Sequence, residues 1–302
     1  MLSSKRKMEM TYYTPYILSA GLIFLVFFLV ISKDMIYNNK KSRPSKAKEK
    51  NLYPGLKIGI IMPAYNEQMK IGKTLSLIPD NISDNLDIIV IDDGSSDDTF
   101  KIASKFDTII IRHSVNKGNG AAIQTGLEYC KNENYNIVII IDADGQHEPR
   151  YIKEFIKPIV DDNYDYVIGN RFHYFYNMSI IKKFCSRVMS FVLSFILDQK
   201  ISDPTMGYRA LSSRVVKFIH CESNYSITLE MLFKIVPYFY SCEIPIKINE
   251  RVYGKSFIRL KKYFYKTLFS FTKFYLFPII HRHSYKFIKR DVRRKIFKLF
   301  KT

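Results

Sequence analysis

The stretch Asn136-Ile137-Val138-Ile139-Ile140-Ile141 runs straight into Asp142-Ala143-Asp144-Gly145-Gln146. The apolar part is β-branched and does not alternate, which marks a strand buried on both faces, as in the centre of a parallel sheet. Such a strand suits the α/β class, whose sheets are covered by helices on both faces. Open sheets of that class bind ligands just beyond the carboxyl ends of their strands. Asp142 and Asp144 stand at that end, and two hard oxygen ligands there suit Mg²⁺ or Mn²⁺. A solvated turn gives the same D-x-D-G pattern, so the pair alone does not choose between the two.

The rest of the chain repeats the pattern. Strands are expected at Leu56–Pro63, Asp87–Ile91, Thr108–Ile111, 136–141 and Tyr166–Ile168. Helical segments fall between them at Glu67–Ile78, from Ser96 to Lys105, and after Asn116–Gly120 through Cys130. The alternation predicts a mostly parallel, doubly wound sheet. Its strand ends are polar in four places: Pro63-Ala64-Tyr65-Asn66-Glu67, Asp92-Asp93, Asp142-Ala143-Asp144 and Gly169-Asn170-Arg171. Any one of these could be a turn, but four on one sheet edge point to a site. Neither common glycine-rich phosphate loop occurs, nor a G-x-S-x-G hydrolase elbow, so bound phosphate is expected to rest on metal and arginine.

The chain's 302 residues carry a formal charge of +19, unevenly spread. Residues 255–302 hold 15 Lys/Arg against Asp291, residues 33–50 carry a net +5 and residues 1–32 a net +2, which leaves −2 for residues 51–254. A near-neutral body with basic flanks fits an anionic membrane better than nucleic acid. Met10–Ser32 is uncharged and long enough to cross ~30 Å of hydrocarbon. It ends without a small-x-small cleavage site, so a retained anchor is expected rather than a signal peptide. The basic residues that follow place the domain on the cytoplasmic side. Four domains result: an anchor over 1–32, a basic linker over 33–55, a catalytic body over 56–256, and a basic, aromatic, interfacial region over 257–302. Lys183–Leu197 has helical apolar spacing and reads equally as core or as an acceptor groove. The four cysteines, 130, 185, 221 and 242, lie far apart without metal spacing; three fall in apolar segments as buried thiols, in a reducing compartment.

Taken together, PAYNE, IDDGSSDDT, DADGQHEP, GNR and DPTMGYRA resemble the family 2 glycosyltransferases of the GT-A fold, over about residues 56–260. The closest likeness is to the dolichol- or polyprenyl-phosphate hexosyltransferase branch. With no tryptophan in the chain, the Q-x-x-R-W motif of processive synthases is absent. The resemblance implies that Pro63, Tyr65, Glu67, Asp92, Asp93 and Lys117 hold the nucleotide, and that Asp142, Asp144 and Gln146 bind Mg²⁺ or Mn²⁺ on the donor diphosphate. It implies a sugar and phosphate pocket at Arg171, and phosphate or acceptor contacts at Arg251, Lys255 and Ser256. Asp144, Arg171 and Arg251 are then the expected catalytic residues. The implied reaction is inverting transfer of one hexose from a nucleotide sugar of GDP-mannose or UDP-glucose type to a polyprenyl or dolichyl phosphate. A glycan acceptor is the competing enzyme reading; a nucleic-acid binder and an inactive scaffold are the readings from other classes.

Overall fold

The computed structural model describes residues 53–79, 82, 83, 85–174, 180–224 and 226–249. The expected anchor (1–32), most of the linker, the C-terminal interfacial region, and Arg251, Lys255 and Ser256 lie outside the described residues. No helix among the described residues is long and apolar enough to cross a membrane.

In chain order the elements are β1 (Ile58–Ala64), α1 (Ile71–Ser76), β2 (Leu86–Asp92), α2 (Thr99–Ala103), β3 (Ile109–Arg112), α3 (Asn119–Asn132), β4 (Ile137–Ile140), α4 (Ile152–Asp161), β5 (Tyr166–Asn170), α5 (Ile180–Leu197), β6 (Arg209–Ser212), α6 (Ser213–Phe218), α7 (Ile227–Ile235) and β7 (Ser241–Pro245). Seven strands form one sheet in the order β3-β2-β1-β4-β6-β5-β7. β1 and β4 are buried at every residue, as their unbroken apolar sequences require.

The sheet is mostly parallel, as expected, and one strand departs from the pattern. β6 runs antiparallel to both β4 and β5, while the other pairings are parallel. The reversal has a consequence for the site. Parallel strands present their carboxyl ends at the active edge, but a reversed strand presents its amino end there. The segment 203–208, which leads into β6, is thereby delivered to the same edge as Asp142 and Arg171.

That segment is pinned from below by Arg209, which is 1% exposed. Its Nε donates to Met206 O at 2.7 Å and its Nη2 to Pro204 O at 3.0 Å. Nη1 donates to Thr228 O at 2.8 Å and to the Tyr166 hydroxyl. A guanidinium so fully supplied with acceptors tolerates burial. Among the thiols, burial pushes those of Cys130, Cys221 and Cys242 up to about 12, which leaves them protonated and unreactive at neutral pH.

α5 begins a little earlier than expected and is neither wholly core nor wholly groove. Leu193 is buried, whereas Val188 and Phe195 are 41% and 62% exposed. These two lie seven residues apart, on one helix face.

Candidate active site

β1 and β4 pair only as far as Ile61 and Ile140, with one more bond from Ile141 N to Ile61 O at 3.0 Å. Beyond that point the two strands part. Pro63 lies past the last β4 pair, where its missing N–H costs nothing on that side. The strand order also reverses here, since β2 and β3 lie to one side of β1 and β4 to the other. A crevice therefore opens at a topological switch point.

On the β1 side the Tyr65–Glu67 turn is laced to the loop after β2. Asn66 N donates to Ser95 Oγ at 3.0 Å, Ser96 N donates to Asn66 Oδ1 at 2.9 Å, and Glu67 N donates to Thr99 Oγ1 at 2.8 Å. Tyr65 is 44% exposed at the rim, and the Glu67 carboxylate lies 2.9 Å from Lys70 Nζ. Asp92 and Asp93 are buried and engaged within the protein. Asp92 Oδ1 accepts from Ser95 N at 3.0 Å, and Oδ2 is 3.0 Å from Arg112 Nε. Asp93 Oδ1 accepts from Lys117 N at 2.9 Å and lies 2.6 Å from His113 Nδ1, while Oδ2 accepts from Gly118 N at 2.7 Å. Both aspartates thus shape the rim, and Asp93 sets the backbone position of Lys117, whose side chain is exposed.

The turn after β4 is held on three sides. Gln146 N donates to Asp144 Oδ1 at 3.0 Å, Gly145 adopts φ +74°, and Thr74 Oγ1 donates to Ala143 O at 3.3 Å. Asn249 closes the turn: its amide donates to Gln146 O at 3.0 Å and its Nδ2 to Gly145 O at 3.3 Å. Asp142 N donates to His147 Nδ1 at 3.0 Å. That nitrogen is therefore a lone-pair acceptor, so its 3.6 Å approach to Asp142 Oδ2 is not a salt bridge. A cavity of about 630 Å³ opens beside Asp144, between Met69–Leu77 and the 144–150 segment.

Whether this turn suits a divalent cation turns on its donors and on the room around them. Two carboxylates and the Gln146 amide oxygen are a hard-oxygen set of the kind Mg²⁺ and Mn²⁺ prefer. Gly207 supplies the room: a Cβ there would stand 3.0 Å from Asp142 Oδ2 and 3.3 Å from His147 Cε1. No cluster of three or more His, Cys, Asp or Glu ready to hold a metal occurs among the described residues, and two carboxylates suffice where a diphosphate completes the coordination. The residues fit.

Arg171 follows β5. Its Nε is 2.9 Å from Asp203 Oδ2, and its Nη2 donates to Asp203 Oδ1 at 3.0 Å and to Thr205 Oγ1. Behind this pair, Glu243 Oε1 accepts from Ser202 N at 2.6 Å and from Asp203 N at 3.1 Å. Burial pushes the Glu243 carboxyl above its usual range, and the bonds from Ser202 and Asp203 pull it partly back. Asp203, Gly207, Asn249 and Glu243 are site-building residues to which the sequence reading gives no role. DPTMGYRA is legible as a motif, but which of its members touches what depends on the reversed β6.

A family model, Glycosyl transferase family 2, matches residues 59–219, and the chain belongs to that family: it is a glycosyltransferase. Among particular relatives, it is 32% identical over 66% of its length to an uncharacterized protein of Methanocaldococcus jannaschii, covering 84% of that protein. It is 34% identical to the UDP-N-acetylglucosamine–dolichyl-phosphate N-acetylglucosaminyltransferase of Methanococcus voltae, over 54% of this chain and 72% of the relative. It is 29% identical to the dolichol-phosphate mannosyltransferase of Pyrococcus furiosus, over 78% of this chain and 64% of the relative. In three dimensions it resembles glucosyl-3-phosphoglycerate synthase from Mycobacterium tuberculosis in complex with Mn²⁺, UDP and glucosyl-3-phosphoglycerate, with a TM-score of 0.60 at 19% identity over 72% of this chain and 80% of that one. This likeness shows the shared GT-A-like fold.

Proposed function

We propose that the protein transfers a single hexose, with inversion, from a nucleotide sugar of the GDP-mannose or UDP-glucose type to a polyprenyl or dolichyl phosphate at the cytoplasmic face of a membrane. The observation that carries this reading is the Asp142–Gln146 turn. It sets two carboxylates at the switch point of the sheet, gives them room at Gly207, and ties them through Asn249 to the segment that leads into Arg251. Relatives named for dolichyl-phosphate acceptors support the choice of acceptor.

In this mechanism Pro63, Tyr65, Glu67, Asp92, Asp93 and Lys117 form the nucleotide side of the crevice. Asp142, Asp144 and Gln146 would hold Mg²⁺ or Mn²⁺, which would supply charge stabilisation for the departing nucleoside diphosphate. Arg171 faces the sugar and phosphate, and Arg251, Lys255 and Ser256 receive the acceptor phosphate. A guanidinium suits that task because its planar fork pairs two oxygens and keeps its charge. The acceptor is already anionic, so attack on the sugar C1 needs little general-base help and no base is assigned. Residues 1–32 anchor the chain, residues 257–302 lie on the lipid surface, and the apolar face of α5 that carries Val188 and Phe195 turns toward lipid or acceptor. No nucleic acid takes part.

The test offers radiolabelled GDP-mannose, UDP-glucose and UDP-N-acetylglucosamine with a polyprenyl phosphate, and counts label entering the organic phase. One donor should transfer. EDTA and Asp144→Asn should each abolish transfer, a loss of several kcal/mol of transition-state stabilisation, with the melting temperature of the mutant unchanged. Full activity in EDTA sinks the metal assignment, and label accumulating in a glycan assigns the other acceptor.

A further inference from the structure

Behind the active edge lies a set of charged side chains that joins three separate segments. Arg171 ends β5 and contacts Asp203 twice through its guanidinium, at Nε (2.9 Å) and Nη2 (3.0 Å). The Arg171 backbone amide also donates to Asp203 Oδ2, at 3.3 Å. One carboxylate therefore sets both the main chain and the head group of this arginine. Asp203 is 0% exposed, so its own position is fixed by the interior. Its amide and that of Ser202 donate to Glu243 Oε1, and Glu243 Oε2 accepts from Asn170 Nδ2 at 3.3 Å. Asn170 is the residue before Arg171, which closes the ring of contacts. Pro204 follows Asp203 and restricts its backbone to extended conformations.

We propose that Asp203, held by Glu243, is a positioning residue that fixes the direction and tempers the charge of Arg171 toward phosphate at the carboxyl edge of the sheet. The proposal rests on the reading of Arg171 as a residue of the phosphate pocket. Its physical content is a trade. A buried ion pair is a poor source of stability, because desolvation offsets most of the attraction. It is an effective way to order a long side chain before the ligand arrives. The neighbouring carboxylate lowers the pull of Arg171 on ground-state phosphate, and the fixed orientation benefits the charge that builds as diphosphate leaves. Thr205 adds a second fixed acceptor for Nη2.

The test uses the full chain in detergent with Asp203→Asn, Arg171→Ala, the double variant and the milder Thr205→Val. Three quantities are read: melting temperature, Kd for UDP and GDP in Mn²⁺, and kcat and KM for transfer. Asp203→Asn should lower kcat by ~30-fold or more while leaving donor KM unchanged or smaller, and the double variant should be no slower than Arg171→Ala alone. Thr205→Val should lower kcat by ~3–10-fold at an unchanged melting temperature. Losses that multiply in the double variant overturn the proposal. So does a wild-type kcat for Thr205→Val alongside an Asp203→Asn that merely melts early, since Asp203 would then be structural. An Arg171→Ala that transfers normally sinks the reading of Arg171 itself. If wild type transfers to no polyprenyl phosphate, the acceptor reading fails separately. The same cycle is then read on nucleoside diphosphate Kd, where Asp203→Asn must tighten binding by a few-fold only when Arg171 is present; equal Kd values overturn the proposal.

Discussion

A methyl group at position 207 would meet Asp142 Oδ2 at 3.0 Å, and the carboxylate end can yield by a few tenths of an ångström. Gly207→Ala should therefore leave the melting temperature close to wild type while moving the carboxylate. If Asp142 holds the donor's metal as proposed, a displacement of that kind costs about tenfold or more in kcat/KM. A melting scan and a transfer assay check both halves; a normal rate would mean that Asp142 can shift without consequence. At this scale the sequence marks which acids stand at strand ends and is silent about what they contact. Asp142 and Asp144 stand out because they end a greasy run. Asp92 and Asp93 stand out equally, but that their carboxylates hold Ser95, Lys117 and Gly118 and lie against Arg112 and His113 is visible only in the fold. Asp203 sits inside a visible motif, but its partner is 32 residues away, and no local pattern encodes such a pairing.

Among elements, β1 to β5 are legible as largely apolar runs and fall within two residues of their expected ends, whereas β7, also parallel, reads Ser-Cys-Glu-Ile-Pro and carries no such run. β6 was not legible. It is four residues long, reads Arg-Ala-Leu-Ser with a polar residue on each face, and so carries neither the apolar run of a buried strand nor any mark of its direction. Helix α4 carries an internal proline, Pro158, which argues against a helix in any local reading. The loop that braces α3 is likewise invisible in sequence. Glu230 on α7 is fully buried; it accepts from Glu222 N at 2.9 Å and Ser223 N at 2.7 Å, and lies 2.7 Å from Lys234 Nζ. The loop it holds supplies Asn224 O to Gly120 N, at the start of α3. Glu230→Ala should lower stability by roughly 3 kcal/mol or more, because Lys234 and two amides lose their acceptor. Denaturant unfolding measures this, and a loss below ~1 kcal/mol would show that water replaces the carboxylate.

For the molecule as a whole, every strand of the described sheet lies between residues 58 and 245, so removing residues 1–50 should leave the sheet intact. The remaining chain keeps the 15 Lys/Arg of residues 255–302. It should still bind vesicles containing phosphatidylserine, at about 1 kcal/mol per basic residue near the surface and progressively less as salt rises. Co-sedimentation with neutral and anionic vesicles at two salt concentrations checks this, and binding indifferent to both variables would refute it.

The reversed β6 also orders events during synthesis. β1 to β4 are complete once Ile140 has been made, but the second neighbour of β4 is supplied by Arg209–Ser212, about 70 residues later. At ~5–20 residues per second, translation takes on the order of several seconds to add that partner, so any half-built sheet would carry an unpaired strand reading Ile-Val-Ile-Ile at its border for that time. An open apolar border of that kind invites pairing with other chains. The strand that brings Asp203 and Gly207 to the active edge is thus also the one whose arrival ends the period in which a newly made chain is most exposed to aggregation.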